Sequence, residues 1–346
     1  MRTMDLIRVS DFHSVNRKSK IKNPKFAVLV GALLLALSFP AEAQQSMKVP
    51  HVGLLNYSSL SAMSKRIEIF REGLRERGYQ EGKTIIIDDR HADGNLVRLP
   101  ALAAQLVDLK VDLLVALGTP AITAAKNIST TIPIVMIAGD PVAVGLVDSL
   151  GRPGGNITGI SDLTHDLSSK RLELLKETLP KLSRVAVLWN PDGPGSTLGW
   201  KKSQIASREL DLQVHSMAVR SPNAFAGAFE QATKMRSDAL MLTGNPMFDA
   251  NRRRITELAM KHRLPAIYEV RESVDVGGLM SYAPNSDELY RRTAYFVYRI
   301  LKGAKPSDLP VEQPTKFELV INLKTAKTLG LRIPSKVLMW ADKVIE

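Results

Sequence analysis

What most restricts the fold of this chain is a pattern that occurs twice. Apolar runs of strand type alternate with stretches of helical period: HVGLLNY (51–57), a helix near 63–77 with Ile67, Phe70 and Leu74 on one face, then TIIIDDR (84–90). A second helix carries Leu99, Leu102, Ala103, Leu106 and Val107, and LLVAL (113–117), a helix from Pro120, IVMIA (134–138) and NITGI (156–160) complete the unit. The order then restarts with a helix near 168–179, VAVLWN (185–190), a helix over 197–210, LQVHSM (212–217), a helix from Asn223, DALMLTGNP (238–246) and a helix ending at His262. Strands separated by helices need parallel sheets covered on both faces, so the fold class predicted is α/β with two Rossmann-like lobes. Internal matches support two lobes of like topology. Asp112 to Pro120 (DLLVALGTP) aligns with Asp238 to Pro246 (DALMLTGNP) at an offset of 126, sharing Asp, the third-position Leu, Gly and Pro; Ile132-Pro133-Ile134 aligns with Leu264-Pro265-Ala266 at an offset of 132.

After residue 268 the order changes. GGLMSYA (277–283) reads as a strand, Glu288 to Leu301 as a helix and Phe317 to Asn322 as a further strand before a short helix, with a proline-rich crossover over Lys305–Pro314. If the strand at 279–283 returns to the first lobe and that at 317–322 joins the second, three crossings connect them. The lobes are then residues 44–161 plus 278–304 and residues 162–277 plus 305–346, joined by a three-crossing hinge.

Residues 1–25 hold seven basic side chains, FAVLVGALLLALSF follows at 26–39, and Ala41-Glu42-Ala43 ends the segment. Basic start, short apolar run and small residues are the order of a signal peptide, with cleavage predicted after Ala43 and a periplasmic mature chain. A 14-residue apolar run falls short of the ~20 residues that span a bilayer, which argues against a retained anchor. The segment carries seven basic and three acidic groups, so its loss lowers the net charge from +12 to +8. The remaining excess is dispersed, densest at Arg252-Arg253-Arg254 and Arg291-Arg292, and reads as a solvated basic face, with no nucleic-acid partner expected. With no cysteine in 346 residues, disulfides, thiolate metal sites and cysteine nucleophiles are excluded.

In open α/β sheets ligands bind beyond the carboxyl ends of the strands. The first lobe offers Asn56, Tyr57 and Ser58, then Gly118-Thr119-Pro120, then Gly139-Asp140-Pro141. The second offers Trp189 and Asn190, then Gly244-Asn245-Pro246, then Tyr268 and Glu269; Tyr282 lies in a later strand. Thr119 and Asn245 hold equivalent places in the repeat and should face one another across a cleft. Each position also has a plainer use: Gly-x-Pro starts helices with Thr119 or Asn245 as the cap, Asp140 before proline forms turns, Glu269 suits a hinge ion pair, and strand-end aromatics pack cores. No Gly-x-Ser-x-Gly elbow or Ser-x-x-Lys pair occurs, and the six histidines show no metal-ligand spacing, so neither a catalytic residue nor a metal or other cofactor is expected. Gly82-Lys83-Thr84 lacks the earlier glycine of a phosphate loop and reads as a turn.

The stretch GDPVAVGLV (139–147) through RPGGNITG (152–159) and the tail ILKGAKP (300–306) through NLKTAK (322–327) resemble the ABC-transporter substrate-binding proteins of the tryptophan/tyrosine type. The likeness covers essentially the whole mature chain. It implies a type I periplasmic-binding fold and a monomeric, non-enzymatic receptor that captures a small molecule, an aromatic or other amino acid being favoured. The receptor would meet the membrane only through the transmembrane subunits of an ABC permease. It further implies that hydroxyl and amide groups hold the ligand carboxylate and an acidic group its amine, at positions matching Asn56, Ser58, Thr119, Asp140, Asn190, Asn245 and Glu269. Two alternatives remain: an exported sensor docking on a membrane receptor, which shares such a cleft, and an exported hydrolase, for which Ser58 has no evident partner histidine. A LacI-type repressor would need a helix-turn-helix where the leader stands.

Overall fold

The computed structural model describes residues 48–346; the expected leader and its cleavage site lie outside the described residues. In the first lobe β1 (His51–Asn56), α1 (Leu60–Arg75), β2 (Ile86–His91), α2 (Leu99–Asp108), β3 (Leu113–Leu117), α3 (Thr119–Ile128), β4 (Ile134–Ala138) and β5 (Ile157–Ser161) build a parallel sheet of order β2-β1-β3-β4-β5. Every residue of β3, β4 and β5 is buried, as expected of strands covered on both faces.

The second lobe follows with α4 (Ser168–Thr178), β6 (Arg184–Trp189), α5 (Pro194–Glu209), β7 (Gln213–Ala218), α6 (Phe225–Lys234), β8 (Ala239–Leu242), α7 (Pro246–Ala250), α8 (Arg252–Lys261), β9 (Ala266–Tyr268) and α9 (Arg271–Asp275). Then come β10 (Met280–Pro284), α10 (Ser286–Leu301), β11 (Phe317–Asn322), α11 (Leu323–Leu329), α12 (Ser335–Trp340) and β12 (Lys343–Ile345). The sheet order is β12-β11-β10-β9-β8-β6-β7, parallel throughout except that β11 runs against β10.

The strand expected to return to the first lobe stays in the second: Met280 and Ser281 pair with Ile267 and Tyr268 of β9, and β11 lies on its far side. The repeat explains why. The order β7-β6-β8-β9-β10 reproduces β2-β1-β3-β4-β5, so β10 is the second lobe's counterpart of β5. The chain crosses after β10, because α10 packs on the first lobe: Leu289, Phe296 and Val297 share a core with Ile67, Phe70 and Leu74 of α1. It returns through the proline-rich stretch, where Thr158 donates to the Leu309 carbonyl at 2.6 Å and Ile160 bridges Glu312. With the passage after β5, these make three crossings.

The shared letters of the repeat do the same work in each lobe. Asp112, just before β3, accepts the His51 N–H at the start of β1 at 2.9 Å; Asp238, just before β8, accepts the Arg184 N–H at the start of β6 at 2.8 Å. The carbonyls of Pro133 and Pro265 each accept at 2.8 Å from the repeat-related leucines, Leu114 and Leu240. The carboxylates and proline carbonyls thus satisfy strand-start groups at the end of each sheet away from the cleft.

Candidate functional site

The two sets of strand ends enclose a cavity of about 180 Å³ lined by both lobes. From the first lobe come Asn56 at the end of β1 and Ser58 after it, Met63 and Arg66 on α1, Gly118, Thr119 and Pro120 at the start of α3, and Gly139 after β4. The second lobe and its connections supply Asp162, Thr164 and His165 after β5, Gly193 to Ser196 at the start of α5, Gly244 to Pro246, and Tyr268 and Glu269. The two Gly-x-Pro turns meet: a Cβ on Gly118 would lie 3.4 Å from Pro246. Gly118 holds φ +83°, which a side chain would strain, so the turn into α3 needs glycine there. Both α3 and α5 begin at the cavity with their N-terminal amides and positive dipole ends, an arrangement suited to a carboxylate.

Of the residues singled out from the sequence, Asn56, Ser58, Thr119, Asn245, Tyr268 and Glu269 are brought together here. Asn245 has two tasks, since its side-chain oxygen also accepts the Met247 N–H at 2.9 Å to cap α7. Thr119 is the first residue of α3 and is not its cap. The other four do not line the cavity. Tyr57 donates its hydroxyl proton to the Gly94 carbonyl, and Asp140 accepts the Ala143 N–H at 3.0 Å in the turn after β4. Asn190 accepts the Asp192 N–H at 2.9 Å, and Tyr282 stacks on Phe317.

The charged groups are mostly ones the strand-end argument passed over. Arg66 reaches across the lobes: its Nη1 lies 2.8 Å from Asp249 on α7 and its Nε 2.7 Å from Glu272 on α9. Burial alone would raise Glu272, but the Arg66 guanidinium outweighs it and holds the carboxyl down at about 2. Arg171 is fully buried and donates to the carbonyls of Tyr282 at 2.9 Å and Thr164 at 2.8 Å. It is the cation facing Glu269. Burial pushes Glu269 up to about 8 although Arg171 pulls the other way, and its Oε2 has no hydrogen-bond partner among the described residues. The Asp162 carboxylate accepts from the Thr164 hydroxyl at 2.6 Å and backbone at 3.0 Å. Met63, Leu117, Ile137, Leu242, Phe248 and Tyr290 form the apolar part of the wall. Two signals in the sequence point to the residues missed: Arg66 lies two turns into the helix that follows β1, and 162–165 directly follows the last strand of the first lobe.

A cavity walled by strand ends of two like lobes, with an unsatisfied carboxylate and two helix N-termini, can hold a small zwitterion with an apolar body. Among known proteins, residues 51–345 match the family described as ABC transporter substrate-binding protein. The chain is 28% identical over 296 residues to a tyrosine-binding protein of Clostridioides difficile strain R20291, covering 83% of each. It superposes with a TM-score of 0.80 and 28% identity on an ABC domain from Streptococcus pneumonia in complex with L-Trp, covering 86% of this chain and 99% of that one. The TM-score falls to 0.64, at 26% identity and with 86% and 99% covered, for the ligand-free, open structure of a substrate-binding protein with adhesive properties from Clostridium difficile. In this chain the ion pairs of Arg66 hold the two lobes together across the cleft. The fold is the type I periplasmic-binding fold, and the chain belongs to the family of ABC transporter substrate-binding proteins.

Proposed function

We propose that this protein captures a small solute, an aromatic or other amino acid being favoured, between its lobes and delivers it to the permease of an ABC importer. The observation that carries the reading is Glu269: a buried carboxyl whose Oε2 has no partner among the described residues, in the wall of a cavity that both lobes close. A buried acceptor of this kind is satisfied by a ligand ammonium. In this reading Asn56, Ser58, Thr119 and Asn245, with the amides that open α3 and α5, hold the carboxylate. The apolar wall takes the side chain. Tyrosine binding in the Clostridioides relative and L-Trp in the Streptococcus domain support the aromatic choice. Members of this family typically work outside the cytoplasm, and we take the basic and apolar segment at residues 1–43 as a leader that brings this chain there.

The reading is tested by the melting temperature of the protein, unfolded and refolded to strip carried-over solute, against aromatic, branched and basic amino acids, purines and small carboxylates. A ligand at about 100 times its Kd adds about 2.7 kcal/mol, which at this size raises the melting temperature by a few degrees. A shift confined to amino acids is expected. No shift across the panel would overturn the amino-acid reading and favour the sensor or hydrolase alternatives.

A further inference from the structure

His165 belongs to none of the interactions described so far, and its surroundings are unusual. The side chain is buried, and among the described residues no group bonds either ring nitrogen; Nδ1 is fully enclosed, while the residue lines the cavity. The ring fills a slot made by glycines of both lobes. A Cβ on Gly139 at the end of β4 would lie 2.2 Å from Nε2, one on Gly195 at the start of α5 would lie 2.3 Å from Nε2, and one on Gly244 would lie 2.8 Å from Cε1. No side chain fits at these three positions beside the imidazole.

The Gly244 position also lies 3.0 Å from Glu269 Oε2, so the carboxylate and the imidazole border one small part of the cavity. The charged groups around the ring are Asp162 and Asp166 on its own segment, Arg171 on α4, Lys202 on α5 and Glu269 after β9. Burial, opposed in part by Asp162, lowers the affinity of the ring for a second proton, so the imidazole is neutral. A buried N–H without an acceptor is rarer than a buried lone pair without a donor. The single proton therefore belongs on Nε2, which sits between the cavity-lining Gly139 and Gly195, and the lone pair on enclosed Nδ1.

We propose that His165 is a specificity-determining residue: its neutral imidazole donates from Nε2 to the carboxylate of the captured amino acid while Glu269 takes the ammonium, so the pair selects an unsubstituted α-amino-acid head group. The proposal rests on the amino-acid reading above and adds to it the residue that measures the head. Gly139, Gly195 and Gly244 are part of the device, because they alone leave room for the ring.

The experiment is titration calorimetry of the full chain, unaltered and as His165→Ala, with L-tyrosine, tyramine, which lacks the carboxylate, and 3-(4-hydroxyphenyl)propionate, which lacks the amine. His165→Ala is expected to weaken L-tyrosine by about tenfold or more, the loss typical of a hydrogen bond to a charged group, and to leave tyramine nearly unchanged. Gly195→Ala keeps the imidazole but displaces it, and should reproduce the same loss. His165→Asn, smaller but polar, gives the same readout should the alanine variant not fold. If the unaltered protein binds L-tyrosine and the variants keep both its affinity and its preference over tyramine, the role of His165 is overturned while the receptor reading stands. If the unaltered protein binds none of the three, the aromatic reading falls and takes the proposal with it.

Discussion

At the residue scale, Glu269 sets the pH behaviour of the empty protein. Its carboxyl is raised from 4.5 to about 8 in the folded chain, chiefly by burial. The folded state therefore keeps a proton that the unfolded chain has released, and stability falls as pH rises from about 4.5 to about 8. Melting temperatures across that range should decline for the unaltered protein and decline less for Glu269→Gln; parallel curves would show that Glu269 is charged throughout. Asn245→Ala removes the α7 cap, for a loss of about 1 kcal/mol, and should weaken ligand binding by more than that; equal losses would leave it a cap alone. Six of the ten chosen residues line the cavity because they follow strand ends in a parallel sheet, which alternation alone reveals. Arg66, Asp249 and Glu272 were not legible in that way. Their partnership spans sequence separations of 183 and 206 residues and exists only once the lobes meet.

Among the elements, the repeat makes two like lobes and extends one strand further than its shared letters mark. Matching Asp, Leu, Gly and Pro letters located β3 against β8, yet the same logic requires a fifth strand in the second lobe, and β10 is that strand. Tyr282 on β10 accordingly stacks on Phe317 of β11 instead of facing the cleft. The repeated aspartates are the most testable elements of the pattern. Asp238 accepts from the Ser183 and Arg184 backbone N–H groups at 3.1 and 2.8 Å. Asp238→Ala should lower stability in urea by about 1–3 kcal/mol while leaving ligand affinity intact, because it works at the far end of the sheet. An unchanged unfolding midpoint would mean that water replaces the carboxylate there.

In the whole molecule, the interlobe contacts bias the lobes toward closure, and a bound ligand completes it. Arg66 joins α1 to α7 and α9, and Arg252 on α8 donates to the Ala62 carbonyl at 3.1 Å. Arg66→Met leaves Glu272 and the Oδ2 of Asp249, whose Oδ1 keeps Arg252 at 2.8 Å, in need of water, which opening supplies. The ligand-free variant should scatter X-rays as a larger particle than the ligand-free unaltered protein and bind ligand about tenfold more weakly, since more of the binding energy then goes into closing. A variant of unchanged radius and affinity would make the ion pairs incidental. Capture between the lobes changes the size of the particle, which the radius of gyration reports when measured with and without the amino acid that the melting panel selects. Contraction on binding is the expected result. A raised melting temperature at an unchanged radius would contradict the account, placing the ligand on one lobe alone.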